Sequence, residues 1–405
     1  MLVISYLVIF SGVNFLKYNK VFFFLILLVA SLFISCTDEP SSLGIELIGS
    51  ENISVKIFDT SLDSTEQTSS FFKRVIPLGT ADWLLIGKYQ DVKASALMKF
   101  VFGLPDSLKN AVKADELNVL DSWIILRSRY VYVDSNAAMN FTVHKVNSSW
   151  SPTAFTIDSL SKLDYEPTDV SSQFTITDTL YTFHINGDLP LEWMKNSVDK
   201  TLADNFGIYL DPTLSSDKVI GFQAFNAISA EAAKLFIVIE KPGAYVDTIR
   251  GFISSDISLV DGPVPNLSPG LIGVQSSVSI NSRLTFDLDS VPAGVVINRA
   301  ELFLTPDTLA SIKGSSFTNS LRLSYLRYAD SLNTEGNPSF MALKDGKYSG
   351  DITLFVRNWI SRKENNGMLI ESGSSTSGLE LFVLKGSDFF EFAERPRLRI
   401  TYTIK

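Results

Sequence analysis

Hydrophobic and polar residues alternate along most of the chain in short runs separated by Asp, Asn, Ser, Thr and Gly. Alternation places one set of side chains in a core and the other in water, so each run predicts a half-buried β-strand. Many short strands with turns between them predict antiparallel sandwiches or barrels. The clearest runs are 139–146, 174–177, 181–185, 235–239, 283–288, 321–325 and 397–402, after a first strand at 53–58.

Helical spacing of apolar residues is rare in this sequence. It occurs at 189–196 and at 352–361, and a weaker instance covers 106–121. The first two segments predict short helices that cross the end of a sandwich. Helix is therefore the minority element, and the predicted fold class is all-β.

The first 36 residues carry a different pattern. Lys17 and Lys20 precede an uncharged apolar run, Val21 to Ile34, and a small residue then precedes Cys36. This order predicts a signal peptide at 1–35, because the apolar run is short for a helix that crosses roughly 30 Å of hydrocarbon. Met1 to Leu16 is also apolar, so the segment is either half of a helical hairpin or precedes a later translation start. We favour the later start, because the two lysines lie where a signal peptide is basic.

The segment Leu32-Phe33-Ile34-Ser35-Cys36 resembles the lipobox of bacterial lipoproteins. The resemblance implies that Cys36 carries the lipid and that the mature chain is held on a membrane without spanning it. Cys36 is the only cysteine in the chain, so an intrachain disulfide is impossible. The alternative is a signal peptide with an incidental cysteine.

Thr37-Asp38-Glu39 resembles the surface-export signal of Bacteroidota-type lipoproteins. The residues from Pro40 to Leu62 resemble the opening of a surface lipoprotein family of unknown function from the same group. These resemblances imply a lipid-anchored protein exposed on the outer membrane. Residues 36–50 are rich in Ser, Gly, Pro and acidic residues and are predicted to form a lipidated tether.

An internal repeat divides the remaining chain. Leu85-Ile86-Gly87 recurs as Leu271-Ile272-Gly273, and Phe100 recurs as Phe286, in both cases 186 residues later, since 271 − 85 and 286 − 100 are equal. Several later features keep the same order with a smaller offset, including Trp193 and Trp359. The equivalence of these two tryptophans favours core packing for both. We therefore predict two copies of one fold, at 51–242 and 243–405.

Each copy contains segments that resemble DNRLRE-type domains. In the second copy these are residues 282–304, a strand ending in Phe-Asp, a Val-Pro turn and a following strand, together with the last strand from Arg395 to Tyr402. In the first copy the segment from Val143 to Pro152 resembles the family pattern around its tryptophan. The motif that names the family is absent, and Trp150 has no counterpart in the second copy. The resemblance implies two tandem jelly-roll-like antiparallel β-sandwiches, akin to carbohydrate-binding modules for acidic polysaccharides.

The chemistry of the sequence favours binding over catalysis. His144 and His184 are the only histidines, both within alternating strand patterns that favour structural roles. The chain lacks the common hydrolase, zinc-protease and phosphate-loop motifs, so we predict no enzyme activity, no cofactor and no metal site. A pair of catalytic carboxylates, as in glycosidases, has no fixed spacing in the sequence, so the sequence leaves this possibility open. Asp287 and Asp289 have carboxylate oxygens that could bind calcium, but the preference of Asp for turns explains both residues without a metal.

The candidate ligand-binding residues lie close together in the first copy. They are Arg127, Arg129, Tyr130, Tyr132 and Trp150. Aromatic rings can pack against sugars, and guanidinium groups suit carboxylates of an acidic polysaccharide. A net charge of −9 argues against binding to nucleic acid or to anionic lipid.

Three hypotheses for function remain. The first is a non-catalytic surface module that binds a glycan or another component of the cell envelope, such as a protein. The second is a structural subunit of an outer-membrane assembly. The third is a polysaccharide-acting enzyme with an unrecognised site.

Overall fold

The computed structural model describes residues 54–62, 65–133, 136–226, 230–315, 317–328 and 331–404. Cys36 and the predicted signal peptide and tether lie outside these residues. The fold is all-β, as predicted, with strands paired in two large antiparallel sheets. The chain enters with β1 (Ser54–Asp59) and β2 (Gln67–Lys73).

The first sheet follows these two strands and folds on itself as a sandwich. Its order is β10-β3-β4-β12-β11-β5-β8-β7, and β9 joins β6 to β4. Its elements are β3 (Trp83–Tyr89), β4 (Val92–Val101), α1 (Asp106–Lys113), β5 (Asn118–Tyr132), β6 (Phe141–Lys145), β7 (Ser171–Thr177), β8 (Leu180–Ile185), α2 (Asp188–Val198), β9 (Ile208–Pro212), β10 (Lys218–Gln223), β11 (Lys234–Lys241) and β12 (Tyr245–Asp261).

The second sheet has the order β1-β21-β15-β18-β17-β16-β19-β14-β13-β20, and β2 pairs with β14. The predicted helices at 189–196 and 352–361 are confirmed as α2 and α3, whereas 106–121 divides into α1 and the start of β5. The remaining elements are β13 (Leu271–Gln275), β14 (Ile280–Phe286), β15 (Val296–Leu304), β16 (Ser320–Leu326), β17 (Thr334–Lys344), β18 (Lys347–Asp351), α3 (Thr353–Arg362), β19 (Met368–Ser372), β20 (Leu381–Lys385) and β21 (Arg397–Ile404).

The two sheets share most of their pairings, although among the described strands β5 also pairs with β10 in the first sheet, and β16 with β17 in the second, without a counterpart in the other. In the first, β3 pairs with β4 and β10, β4 with β9, and β5 with β8 and β11. In the second, β13 pairs with β14 and β20, β14 with β19, and β15 with β18 and β21. The equivalence extends to side chains: the Asn205 amide donates to the Phe100 carbonyl, and the Asn365 amide donates to the Phe286 carbonyl.

The sandwiches exchange their leading strands. The first half of β12 pairs with β11 and its second half with β4, so the strand that opens the predicted second copy completes the first sandwich. In the equivalent positions of the second sheet, β1 pairs with β21 and β2 with β14. The strands that open the predicted first copy therefore complete the second sandwich. The division into two domains at residue 242 stays a prediction. Strand β12, which follows residue 242, joins the first sheet, and β1 and β2, which precede it, join the second.

Buried apolar residues form one cluster inside each sandwich and a third cluster between them. The third cluster joins one layer of the first sandwich to Val278, Ile280 and Leu379 of the second. This contact covers the layer formed by β3, β4 and β10. The opposite layer of the first sandwich, formed by β5, β8 and β11, carries the site described next.

Candidate functional site

The outer face of β5, β8 and β11 carries an aromatic row. Strand alternation turns Ile124, Phe183 and Ile237 into the core, so the intervening residues face outward. Phe236 lies opposite Trp123, and Trp123 lies opposite His184. These three side chains are half-buried. They therefore form a continuous ridge across three strands.

The rings in this row are in contact with one another. The ring centroids of Trp123 and Phe236 are 5.4 Å apart with planes at 15°, and those of Trp123 and His184 are 6.1 Å apart. His184 Nδ1 lies 2.7 Å from Asp121 Oδ1, which fixes the orientation of the imidazole. The cross-strand row ends at Arg250, opposite Phe236. At a strand spacing of about 4.8 Å, the four residues span roughly 14 Å, the length of a few sugar units.

Basic side chains lie beside the ridge. Lys234 and Ile125 occupy the neighbouring cross-strand pair, and Arg127 follows two residues later on the same face of β5. Arg129 pairs with Glu231 through a salt bridge. The hydrogen bond from Arg129 lowers the pKa of Glu231, and the charges of Arg127 and Lys234 lower it further. Glu231 therefore lies in the positive field of three basic groups.

The predicted candidates Tyr130 and Tyr132 lie elsewhere. Both are 1 % exposed and belong to the apolar cluster between the sandwiches. The Tyr130 hydroxyl accepts a hydrogen bond from the Leu379 backbone N–H at 2.9 Å. Burial raises the pKa of Tyr130 far above its usual range, and the nearby Glu380 adds to the shift. The two tyrosines therefore join the sandwiches and do not line an exposed surface.

Trp150 is also separated from the two arginines. Its indole N–H donates to the Phe206 carbonyl at 2.8 Å, and its half-buried ring packs against the cluster between the sandwiches. This bond fixes the segment that follows β6. The structure thus brings Arg127 and Arg129 together and places the three predicted aromatic residues away from them. Cys36 lies outside the described residues.

The other histidine, His144, is held in place by hydrogen bonds within the fold. His144 is 8 % exposed, and its ring nitrogens lie 2.8 Å from Thr142 Oγ1 and 3.0 Å from the Glu166 carbonyl. Both nitrogens are thus occupied. Within the described ranges, no group of three or more His, Cys, Asp or Glu side chains could hold a metal ion. None of the described helices combines the length and apolarity needed to cross a membrane.

Trp123, Phe236 and His184 were missed as a group by sequence reasoning. Part of the signal was present, because Trp123 and Arg127 have the same parity on β5 and so share a face. Tyr130 and Tyr132 have the opposite parity and face the other way. The contribution of Phe236 and His184 needed the strand register, which alternation alone does not supply.

The chain was also compared with known proteins. No protein-family model matches it, and no curated protein matches it either.

Proposed function

We propose that the protein is a non-catalytic binding protein of the cell surface that holds an acidic polysaccharide on the outer face of β5, β8 and β11. The observation that carries the proposal is the aromatic ridge of Phe236, Trp123 and His184 beside a set of basic side chains. Large half-buried aromatic side chains in contact on an outer sheet face are available to a ligand.

The two parts of this surface serve different parts of such a ligand. The apolar face of a sugar ring can pack against the aromatic ridge. Arg127 and Arg129 present planar guanidinium groups that match carboxylates, and Lys234 and Arg250 add positive charge. Glu231 and Asp121 on this face pair with Arg129 and His184. The cluster of four basic groups beside the ridge favours an anionic chain over a neutral one.

The proposed location follows from the sequence. The lipobox resemblance at Cys36 and the acidic residues after it support a lipid-anchored protein on the outer-membrane surface. A polysaccharide-binding face suits that location, because the ligand is met outside the cell. Mass spectrometry of protein extracted from membranes tests the anchor: the expected result is a lipidated Cys36, and an unmodified cysteine would contradict it.

Affinity gel electrophoresis tests the binding face. We expect polygalacturonate in the gel to retard the purified protein and dextran to leave its mobility unchanged. Trp123→Ala, and separately Arg127→Ala with Arg129→Ala, should each restore free mobility. Trp123 lies on the outer face, so its removal leaves the core intact.

Matched controls come from the second sandwich. Phe340→Ala removes an aromatic ring that is 57 % exposed, and Arg299→Ala removes an arginine that is 64 % exposed. Both should leave retardation unchanged. If the protein is not retarded by polygalacturonate, or if the controls weaken retardation as much as the Trp123 and Arg127 variants, the proposed function is wrong.

The alternative of a structural subunit is favoured by one observation. β1 is at the edge of its sheet, and Val55 and Ile57 on it are 63 % and 54 % exposed. An apolar edge strand can pair with a strand of another protein. Cross-linking in intact membranes through a photoreactive residue at Val55 tests this role. A specific partner would support it, and cross-links to lipid or solvent alone would oppose it.

A further inference from the structure

A cavity of about 590 Å³ opens in the second sandwich, away from the aromatic ridge. It is lined by the start of β2, by the connection between β14 and β15, and by the C-terminal end of α3. The start of β2, which comes from the other end of the chain and pairs with β14, therefore supplies one wall of the cavity. Its volume suits a small ligand of one or a few rings.

The origin of the cavity is visible in a comparison of the two repeats. In the first repeat the connection between β4 and β5, residues 102–117, contains α1, which packs against α2 through a face with Leu108, Ala111 and Val112 buried. In the second repeat the equivalent connection, residues 287–295, is short and has no helix. The place that α1 takes beside α2 is thus left open beside α3.

The lining holds polar atoms that lack partners. Trp359 is 2 % exposed, and its indole N–H has no hydrogen-bond partner among the described residues. The side-chain oxygen of Gln67 is likewise buried without a partner in the described part of the chain. Both residues line the cavity. A buried polar group without a partner costs free energy, and a ligand hydroxyl can accept from an N–H and donate to an oxygen.

The charge of the lining selects among hydroxyl-bearing ligands. Glu66, Asp287 and Asp289 supply three carboxylates against the one ammonium of Lys363. Lys363 caps the C-terminal end of α3, where the helix dipole is negative. An acidic ligand is therefore disfavoured in this cavity, in contrast to the basic surface of the first sandwich.

We infer that this cavity is a second binding site, for a sugar that carries no acidic group, and that an amino sugar is preferred. The site is independent of the proposed polysaccharide face, since the two have opposite charge and no residue in common. The ammonium of an amino sugar pairs with the carboxylates, and its hydroxyls meet the indole N–H and the Gln67 oxygen once these two buried groups turn toward the cavity.

The indole N–H gives a direct test. Two-dimensional NMR of the full chain with ¹⁵N-labelled tryptophan shows five indole signals, one for each tryptophan. Trp359→Phe assigns the signal of interest, and Trp193→Phe, at the equivalent position of the first repeat, is the matched control. If either variant fails to fold, the Asp289→Asn titrations described next carry the test through the signal that moves.

Three sugars of one shape then separate the effects of charge: glucosamine, glucose and glucuronate. Glucosamine should shift the Trp359 signal saturably, glucose should shift it at higher concentration, and glucuronate should leave it unchanged. Asp289→Asn should weaken glucosamine binding roughly tenfold, as expected for the loss of one charge-assisted hydrogen bond, and leave glucose binding unchanged. Asp345→Asn, an exposed carboxylate on the turn between β17 and β18, should change neither.

The outcomes are decisive for this site alone. Absence of any shift with glucosamine and glucose, or an equal shift with glucuronate, would overturn the inference. Equal weakening by Asp289→Asn and Asp345→Asn would also overturn it, because the effect would then follow net charge. Retention of polygalacturonate binding in the Asp289 variant would show that the first face is intact whatever the result here.

Discussion

Asp59 on β1 forms an ion pair with Arg397 on β21, the strand that β1 pairs with. The carboxylate is 3 % exposed, and it accepts hydrogen bonds from Arg397 Nε at 2.8 Å and from the Ser61 backbone N–H at 3.0 Å. Burial raises the pKa of Asp59, but the bonds from Arg397 and Ser61 lower it more, from 3.8 to about 2. The ion pair therefore stabilises the folded state in its charged form.

The size of this effect follows from the shift. A difference of nearly two pKa values corresponds to about 2 kcal/mol, at 1.36 kcal/mol per unit. Because the folded pKa is the lower one, the contribution is present above 3.8 and is lost as the pH falls through about 2. Asp59→Asn should thus lower the free energy of unfolding by about 2 kcal/mol at neutral pH and by much less at the acid end of this window.

Urea unfolding of wild type and variant across this pH range measures the loss. Hydrogen exchange with mass spectrometry then locates it: exchange should rise in β1 and β21, which pair with each other, and stay low in β11, the equivalent of β21 in the first repeat. Asp106→Asn is the control, because its carboxylate is 92 % exposed and its pair with Lys109 is of the weak surface kind.

Two results would refute this reasoning. One is a loss at neutral pH no larger than that of the Asp106 variant, which would mean that the ion pair contributes nothing. The other is raised exchange in β11 with β21 unchanged, which would place β1 in the first sandwich and remove the strand exchange.

Three further predictions concern the body of the protein and its binding face. Burial raises the pKa of Asp256 to about 6 from 3.8, so its stabilising contribution is complete below pH 3.8 and is lost as the pH rises through 6. Over this range the free energy of unfolding of Asp256→Asn, measured in urea, should rise by up to about 3 kcal/mol relative to wild type. Gly314→Ala places a methyl group against the Tyr130 ring between the sandwiches and should cost about 1–3 kcal/mol in thermal unfolding, whereas Gly103→Ala, with open space around it, should cost less. Retardation by polygalacturonate should weaken as salt is raised, and the Arg127→Ala, Arg129→Ala variant should lose that dependence; salt-independent binding would contradict the electrostatic part of the proposal.

The sandwich that carries the binding face and the sandwich that holds the cavity both depend on the exchange of leading strands. Each sandwich is completed by the leading strand or strands of the other repeat, so truncation at either end of the described chain removes strands from the second sandwich. The first sandwich likewise depends on β12, which a cut at residue 242 would detach. A fragment that holds a single repeat should therefore also keep the strand that the other repeat contributes.

Local pattern in the sequence determined most of the elements. Alternation located strands such as β8 and β11, and helical spacing located α2 and α3, because these periods record which side chains meet a core within one element. The recurrence of Phe100 as Phe286 marked two strands that hold the same place in the two sheets. Parity along β5 already put Trp123 with Arg127 and apart from Tyr130.

Only the tertiary structure decided how these elements combine. β1 and β2 fill in the second sheet the positions that β12 fills in the first, and alternation cannot say which sheet receives which strand. Contacts between residues far apart in the chain, such as Asp59 with Arg397, determine that choice. The same holds for the sites: Phe236 and His184 flank Trp123 through register, and the cavity is open because the second repeat lacks the helix that α1 supplies in the first.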